Sequence, residues 1–108
     1  MFNIIFVILH YQNIDDTINC IDSIKKLQEL NNNYKILLVD NKSPNNTGKE
    51  LEKIYINDSN IEIILLEKNY GFSKANNIAF KMAKKYNVTD CIGSNYLFEN
   101  EMFNGTVI

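Results

Sequence analysis

Asn3-Ile4-Ile5-Phe6-Val7-Ile8-Leu9 runs directly into His10-Tyr11-Gln12-Asn13. The first part is a nearly continuous apolar run, rich in Ile and Phe. A strand with one wet face would alternate, so this one reads as buried on both faces. Such a strand needs helices above and below it, and the chain supplies them. Asp15 to Leu30 carries Ile18, Ile21, Ile24 and Leu27 at helical spacing. Asp15 or Asp16 suits its first turn, and Asn31 to Asn33 ends it as a turn. Lys35 to Val39 is a second strand, closed by Asp40, and the loop Asn41 to Asn46 holds Pro44. Thr47-Gly48-Lys49-Glu50 reads as a capping box opening a second helix to about Tyr55. After the polar turn Asn57 to Asn60 comes a third strand, Ile61 to Leu66. Ser73 is placed to cap a third helix, with Ala75, Ile78, Ala79, Met82 and Ala83 on its inner face. A fourth apolar stretch begins near Asp90. The order β-α-β-α-β-α-(β) predicts an α/β fold, a parallel Rossmann-like sheet with right-handed crossovers and helices on both faces.

The 108 residues fit one domain. Lys supplies all 11 basic residues against 13 acidic ones. That near-neutral balance argues against a nucleic-acid surface. Cys20 and Cys91 are far apart and in no metal-binding spacing, which predicts two free, buried thiols suited to a reducing cytoplasm. The apolar run from Phe2 to Leu9 is too short to cross a membrane and lacks the flanks of a signal peptide.

In an open parallel sheet, ligands bind beyond the carboxyl ends of the strands. Three such ends are polar or aromatic here: His10 to Asn13, Asp40 to Ser43, and Lys68 to Phe72. Their convergence points to a small-molecule site. Asp40 either accepts hydrogen bonds from ribose hydroxyls or a base N–H, or caps backbone N–H groups of its own loop. Tyr11 either stacks on a base or wedges at the sheet edge. His10, the only histidine, has no ligand-spaced partner and reads as structural. Gly71 marks a backbone conformation that a Cβ resists. The helix near Ser73 turns free N–H groups toward the same edge, which suits an anion such as pyrophosphate. No Gly-x-Gly-x-x-Gly follows the first strand and no P-loop is present.

Ile5 to Asn13, then Leu38-Val39-Asp40-Asn41-Lys42-Ser43, then Asn69-Tyr70-Gly71-Phe72-Ser73-Lys74-Ala75-Asn76-Asn77 together resemble three ordered motifs of family-2 glycosyltransferases. The Asn-Asn ending is similar to the rhamnosyltransferase-like branch; other branches carry Arg at the position of Asn76. The resemblance covers roughly residues 3–87, with 88–108 divergent. It implies a GT-A nucleotide-sugar domain. Tyr11 and Asp40 would hold the base and ribose of a uridine or deoxythymidine diphosphate sugar, Asn13 and Asn41 would belong to the same nucleotide-sugar site, and Asn69, Gly71 and Asn77 would shape the neighbouring wall. It implies inverting transfer to a glycan or lipid-linked acceptor, in the cytoplasm or at the inner membrane face. It also implies a divalent cation, Mg²⁺ or Mn²⁺, on the diphosphate. The family's acidic metal motif does not follow Asp90-Cys91-Ile92-Gly93-Ser94-Asn95. Glu99 and Glu101 are the nearest acids, and the terminal segment otherwise reads as solvated. The expectation is a truncated donor-binding domain, inactive alone, without catalytic or metal residues of its own. It would work with a second chain supplying the missing half, or be a non-catalytic module or degenerate gene product.

Overall fold

The computed structural model describes residues 4–27, 33–86, 90–93 and 105–107, the last two stretches as backbone alone. The elements are β1 (Ile4–His10), α1 (Ile14–Lys25), β2 (Tyr34–Asp40), α2 (Thr47–Ile54), β3 (Ile61–Leu65), α3 (Phe72–Ala83), a 3₁₀ turn (Lys84–Tyr86), β4 (Asp90–Gly93) and β5 (Gly105–Val107). They form one parallel sheet in the order β3-β2-β1-β4-β5. The chain builds outward from β1 to β3, then returns through α3 to place β4 on the other side of β1. The order therefore reverses beside β1, where open α/β sheets open their ligand crevice.

Strand alternation sorts the core. Ile5, Val7, Leu37 and Val39 pack with Ala75, Ala79, Phe80 and Ala83 of α3. Phe6, Ile8, Ile36 and Leu38 pack with Ile21 and Ile24 of α1 and Leu51 of α2. Odd positions of β1 and β2 thus meet α3 and even positions meet the other two helices, because successive side chains leave a strand on opposite faces. Helices on both faces are what the apolar run at 4–9 demanded. Alanines at 75, 79 and 83 lie one helical turn apart and let α3 sit close on the sheet.

Several local expectations change. Asn13 caps α1 in place of Asp15 or Asp16, with Oδ1 accepting from Asp16 N–H at 3.1 Å. The helix starts at Ile14, so both aspartates fall in its first turn and meet the dipole there. Thr47 opens no capping box: Asn46 is the cap residue, with φ 62° and no side-chain bond, and the Thr47 hydroxyl is used by His10 instead. Gly71, at φ 79°, precedes α3 where Ser73 was expected, and Ser73 lies inside the first turn. α1 ends at Lys25, and the stretch 28–32 lies outside the described residues. Cys20 is half-buried rather than buried, and the Cys91 side chain lies outside the described residues. β5 pairs with β4 inside the segment expected to be solvated, Gly93 standing opposite Val107. Three residues are too few to show a period.

Gly48 gives a direct test of the packing over β2. A Cβ there would sit 2.3 Å from Oδ2 and 2.5 Å from Cγ of Asp40. Alanine gains about 1 kcal/mol of helix propensity over glycine, against roughly 1–3 kcal/mol for overpacking a site that cannot yield. Gly48→Ala is expected to lower the urea midpoint. Adding Asp40→Ala should recover part of the loss, so that the double variant is more stable than the two single effects predict. Strict additivity across the four proteins would show that the clash is relieved elsewhere.

Candidate functional site

The carboxyl edge is built from the loops after β1, β2 and β3. His10, the last residue of β1, is 1% exposed and faces α1 and α2. Its Nδ1 lies 2.6 Å from Thr17 Oγ1 and its Nε2 lies 2.7 Å from Thr47 Oγ1. The Thr47 hydroxyl donates to Asn45 Oδ1 at 2.8 Å, so Nε2–H donates to Thr47 and Nδ1 accepts from Thr17. Burial pushes the imidazole below its usual pKa, with the nearby Asp40 carboxylate pulling the other way. His10 is a structural residue, as its isolation in the sequence indicated.

Asp40 is buried and held by its own loop. The Ser43 hydroxyl donates to Oδ1 at 2.6 Å, and the Ser43 N–H reaches both oxygens at 3.2 and 3.3 Å. Of the two roles open to it, the loop-capping one is present in the structure. Asn41, 5% exposed, joins the other two loops. Its backbone N–H donates to the His10 carbonyl at 3.0 Å. Its Nδ2 donates to Asn69 Oδ1 at 3.1 Å and its Oδ1 accepts from Tyr70 N–H at 3.0 Å. Asn69 Oδ1 also accepts from Gly71 N–H at 2.7 Å, which shapes the left-handed turn before α3.

Among the described residues two cavities open at this edge. The larger, about 370 Å³, is lined by Leu9, Tyr11, Asn41, Asn69, Gly71 and Phe72. The smaller, about 90 Å³, is lined by Asp40, Lys42, Ser43, Asn46, Gly48, Lys49, Leu65 and Leu66. Strand parity divides them. Position 40 follows the even face toward α2, whereas Leu9 and Asn41 follow the odd face toward α3. The structure therefore brings Tyr11, Asn41, Asn69 and Gly71 around one cavity and sets Asp40 in the other. Asn13 and Asn77 line neither: Asn13 is the exposed cap of α1, and Asn77 lies in α3 with its buried Oδ1 unpartnered.

Leu9 and Phe72 were not among the candidates. Phe72 is 45% exposed, much like Tyr11 at 44%, so two aromatic faces look into the larger cavity. Counting Val7, Leu9, Tyr11 along one strand face would have found Leu9, and Phe72 follows the turn that Gly71 makes. Asn76 is wholly buried with neither amide atom partnered.

Among the described residues no group of three or more His, Cys, Asp or Glu side chains could hold a metal ion. Asp40, the carboxylate that lines the smaller cavity, accepts from Ser43. Glu99 and Glu101 lie outside the described residues. No described helix is long and apolar enough to cross a membrane.

A doubly wound parallel sheet with a polar and aromatic crevice at its switch point is the architecture of nucleotide-binding α/β domains. The family model of glycosyl transferase family 2 matches residues 5–103, and the chain belongs to that family. No curated protein matches the sequence significantly. Among solved structures, a mannosyltransferase from Pyrobaculum calidifontis in complex with GDP-Man and Mn²⁺ superposes with a TM-score of 0.65 at 13% identity. The match covers 74% of this chain and 24% of that one, so the chain spans about a quarter of the neighbour's length. The GT-A fold implied by the three motifs is present.

Two measurements probe the buried polar groups. The unfolded chain takes up a proton at a histidine near pH 6.5, while His10 in the folded chain resists it. Its contribution is complete above that pH and is lost as pH falls through the lowered folded value. The urea midpoint is expected to drop between pH 7.5 and 5.5, less steeply in His10→Gln; equal slopes would remove His10 as the cause. Asn76→Leu replaces an unpartnered amide with an apolar group of similar size, and a gain of about 1–2 kcal/mol is expected in the same assay. A loss would mean that the amide finds a partner.

Proposed function

We propose that the chain forms one donor-binding domain that holds the nucleotide of a uridine or deoxythymidine diphosphate sugar. The observation that carries this reading is the larger cavity. It lies at the carboxyl edge of the sheet, is large enough for a base and ribose, and offers two aromatic faces beside amide groups. Tyr11 and Phe72 suit a base by stacking, which tolerates any ring. Asn41 and Asn69 suit its polar edge or the ribose hydroxyls. Asp40, Asn13 and Asn77 lie outside this cavity, and Asp40 contributes by fixing the loop that carries Asn41. The neighbouring mannosyltransferase, solved with a nucleotide sugar and Mn²⁺, supports this class of ligand.

In the transfer expected of the family, an acceptor oxygen attacks the anomeric carbon as the bond to the diphosphate breaks, with inversion. A divalent cation would neutralise the departing charge. The described residues serve this reaction by binding and orienting the nucleotide. His10 and Asp40, at the ends of β1 and β2, both have their polar atoms engaged by neighbours. That engagement also favours a second reading, a non-catalytic nucleotide-binding module whose reacting groups come from a second polypeptide. A glycan or lipid-linked acceptor would place either version in the cytoplasm or at the inner membrane face.

Calorimetric titration with UDP, dTDP and GDP, each with and without Mn²⁺, is the direct test. UDP or dTDP should bind. Tyr11→Ala should weaken binding about tenfold or more, since base stacking contributes roughly 1–3 kcal/mol. If Asp40 touches the ribose, Asp40→Ala should cost more affinity than Ser43→Ala; equal losses would limit Asp40 to shaping the loop. Preference for GDP would overturn the pyrimidine assignment, and no binding of any nucleotide to the folded chain would sink the proposal.

A further inference from the structure

The three non-glycine residues with positive φ among the described residues are Gln12 at 65°, Lys42 at 61° and Asn46 at 62°. All three lie in the β1–α1 and β2–α2 loops. Side chains resist this region, and such residues persist only where their surroundings over-determine them. Gln12 is also the centre of a three-residue turn closed by Asn13 N–H to the Tyr11 carbonyl at 2.8 Å, the rare strained form when φ is positive. The residue presented by that turn is Tyr11.

What over-determines these loops is one connected set of hydrogen bonds. Thr17 on α1 and Thr47 on α2 grip the two ring nitrogens of His10 at 2.6 and 2.7 Å. Thr47 continues to Asn45 Oδ1 at 2.8 Å, and Asn45 Nδ2 donates to the Gln12 carbonyl at 3.0 Å. The Gln12 N–H donates to Ser43 Oγ at 2.8 Å, and Ser43 donates to Asp40 at 2.6 Å. Both backbone polar groups of Gln12 are thus tied to the opposite loop. Thr17, His10 and Thr47 are nearly inaccessible, with exposures of 6%, 1% and 6%, so water does not compete for the two bonds to the imidazole, while the links through Asn45 to Gln12 lie nearer the surface.

We propose that His10 is a positioning residue: the chain Thr17–His10–Thr47–Asn45–Gln12 clamps two strained loops into the shape that presents Tyr11 and Asn41 to the larger cavity. None of these five residues lines that cavity, so the clamp acts through the backbone of the loops. A loop held in its bound shape before the ligand arrives pays less ordering entropy on binding. The consequence for affinity rests on the nucleotide reading; the consequence for loop order does not.

The test compares Thr47→Val, which keeps the shape and loses the hydroxyl, with Thr47→Ser, which keeps the hydroxyl. Amide hydrogen exchange is followed at Gln12 and Ser43 against Leu38 in the centre of β2, and UDP affinity is measured in parallel. In Thr47→Val, Gln12 and Ser43 should exchange about tenfold faster relative to Leu38, the size expected for one lost buried hydrogen bond. Thr47→Ser should restore most of that protection, and UDP affinity should follow the same order. A purely global loss of stability would speed Leu38 along with the loops, and that result would overturn the proposal. Equal behaviour of the Val and Ser variants would overturn it as well. If the native chain binds no nucleotide, the functional reading fails, while the exchange ratios still decide the clamp. If Thr47→Val does not fold, His10→Gln provides the same comparison, with unchanged relative exchange at Gln12 and Ser43 as the contrary result.

Discussion

A neutral imidazole between two threonine hydroxyls is the interaction on which the carboxyl edge depends. A wholly buried ring must satisfy two polar atoms without water, and an unpaired one would cost roughly 1–3 kcal/mol. His10 meets that demand by drawing Thr17 and Thr47 onto the same side chain. Because Thr17 belongs to α1 and Thr47 to the first turn of α2, satisfying one ring fixes where two helices begin. The backbone of the same residue accepts from Asn41, which in turn holds Tyr70 and Asn69. Three loops are therefore registered to one another through the end of β1, the strand beside which the sheet order reverses.

The second constraint is the period of two along each strand. It sends His10 and Asp40 toward α1 and α2, and Leu9 and Asn41 toward α3. Residues adjacent in sequence thus serve opposite faces of the sheet. The face carrying His10 and Asp40 is largely taken up by internal hydrogen bonds and by the close approach of Gly48 to the Asp40 carboxylate. The other face keeps an open cavity because α3 starts late, at Phe72, after a left-handed glycine. Division of labour between scaffold and crevice follows from backbone geometry before any ligand is considered.

The architecture was readable in the sequence because it rests on long, strong patterns. The apolar run at 4–9, the isoleucines of α1 and the alanines of α3 each repeat over several residues, and the sheet class follows from their alternation. The site was readable only as a set of loops. Tyr11, Asn41, Asn69 and Gly71 do share a cavity, but Asp40 was assigned to the same group by its position at a strand end, and parity separates it. Helix caps were misplaced for a related reason. Thr47 and Ser73 have cap chemistry, yet the Thr47 hydroxyl answers a histidine 37 residues earlier in the chain, and Gly71 already turns the backbone ahead of Ser73. Contacts between distant residues decide which of two locally adequate groups is used, and no local window contains them.

That same competition bears on what the domain can do. A group that acts as acid or base needs a free lone pair or proton facing the reacting atoms. His10 has neither ring nitrogen free, and the Asp40 carboxylate is engaged by Ser43. The groups that line the larger cavity are Leu9, two amides, a glycine backbone and two aromatic rings, a set that recognises shape and hydrogen-bonding pattern. Asn76 stands apart from this logic. It is an amide in the wholly buried part of α3 with nothing to bind, in a chain whose other buried amide at this edge, Asn41, is fully used. A buried amide without a partner costs roughly 1–3 kcal/mol, so this side chain lowers stability where Asn41, by spending its amide on two neighbouring loops, raises order at the edge.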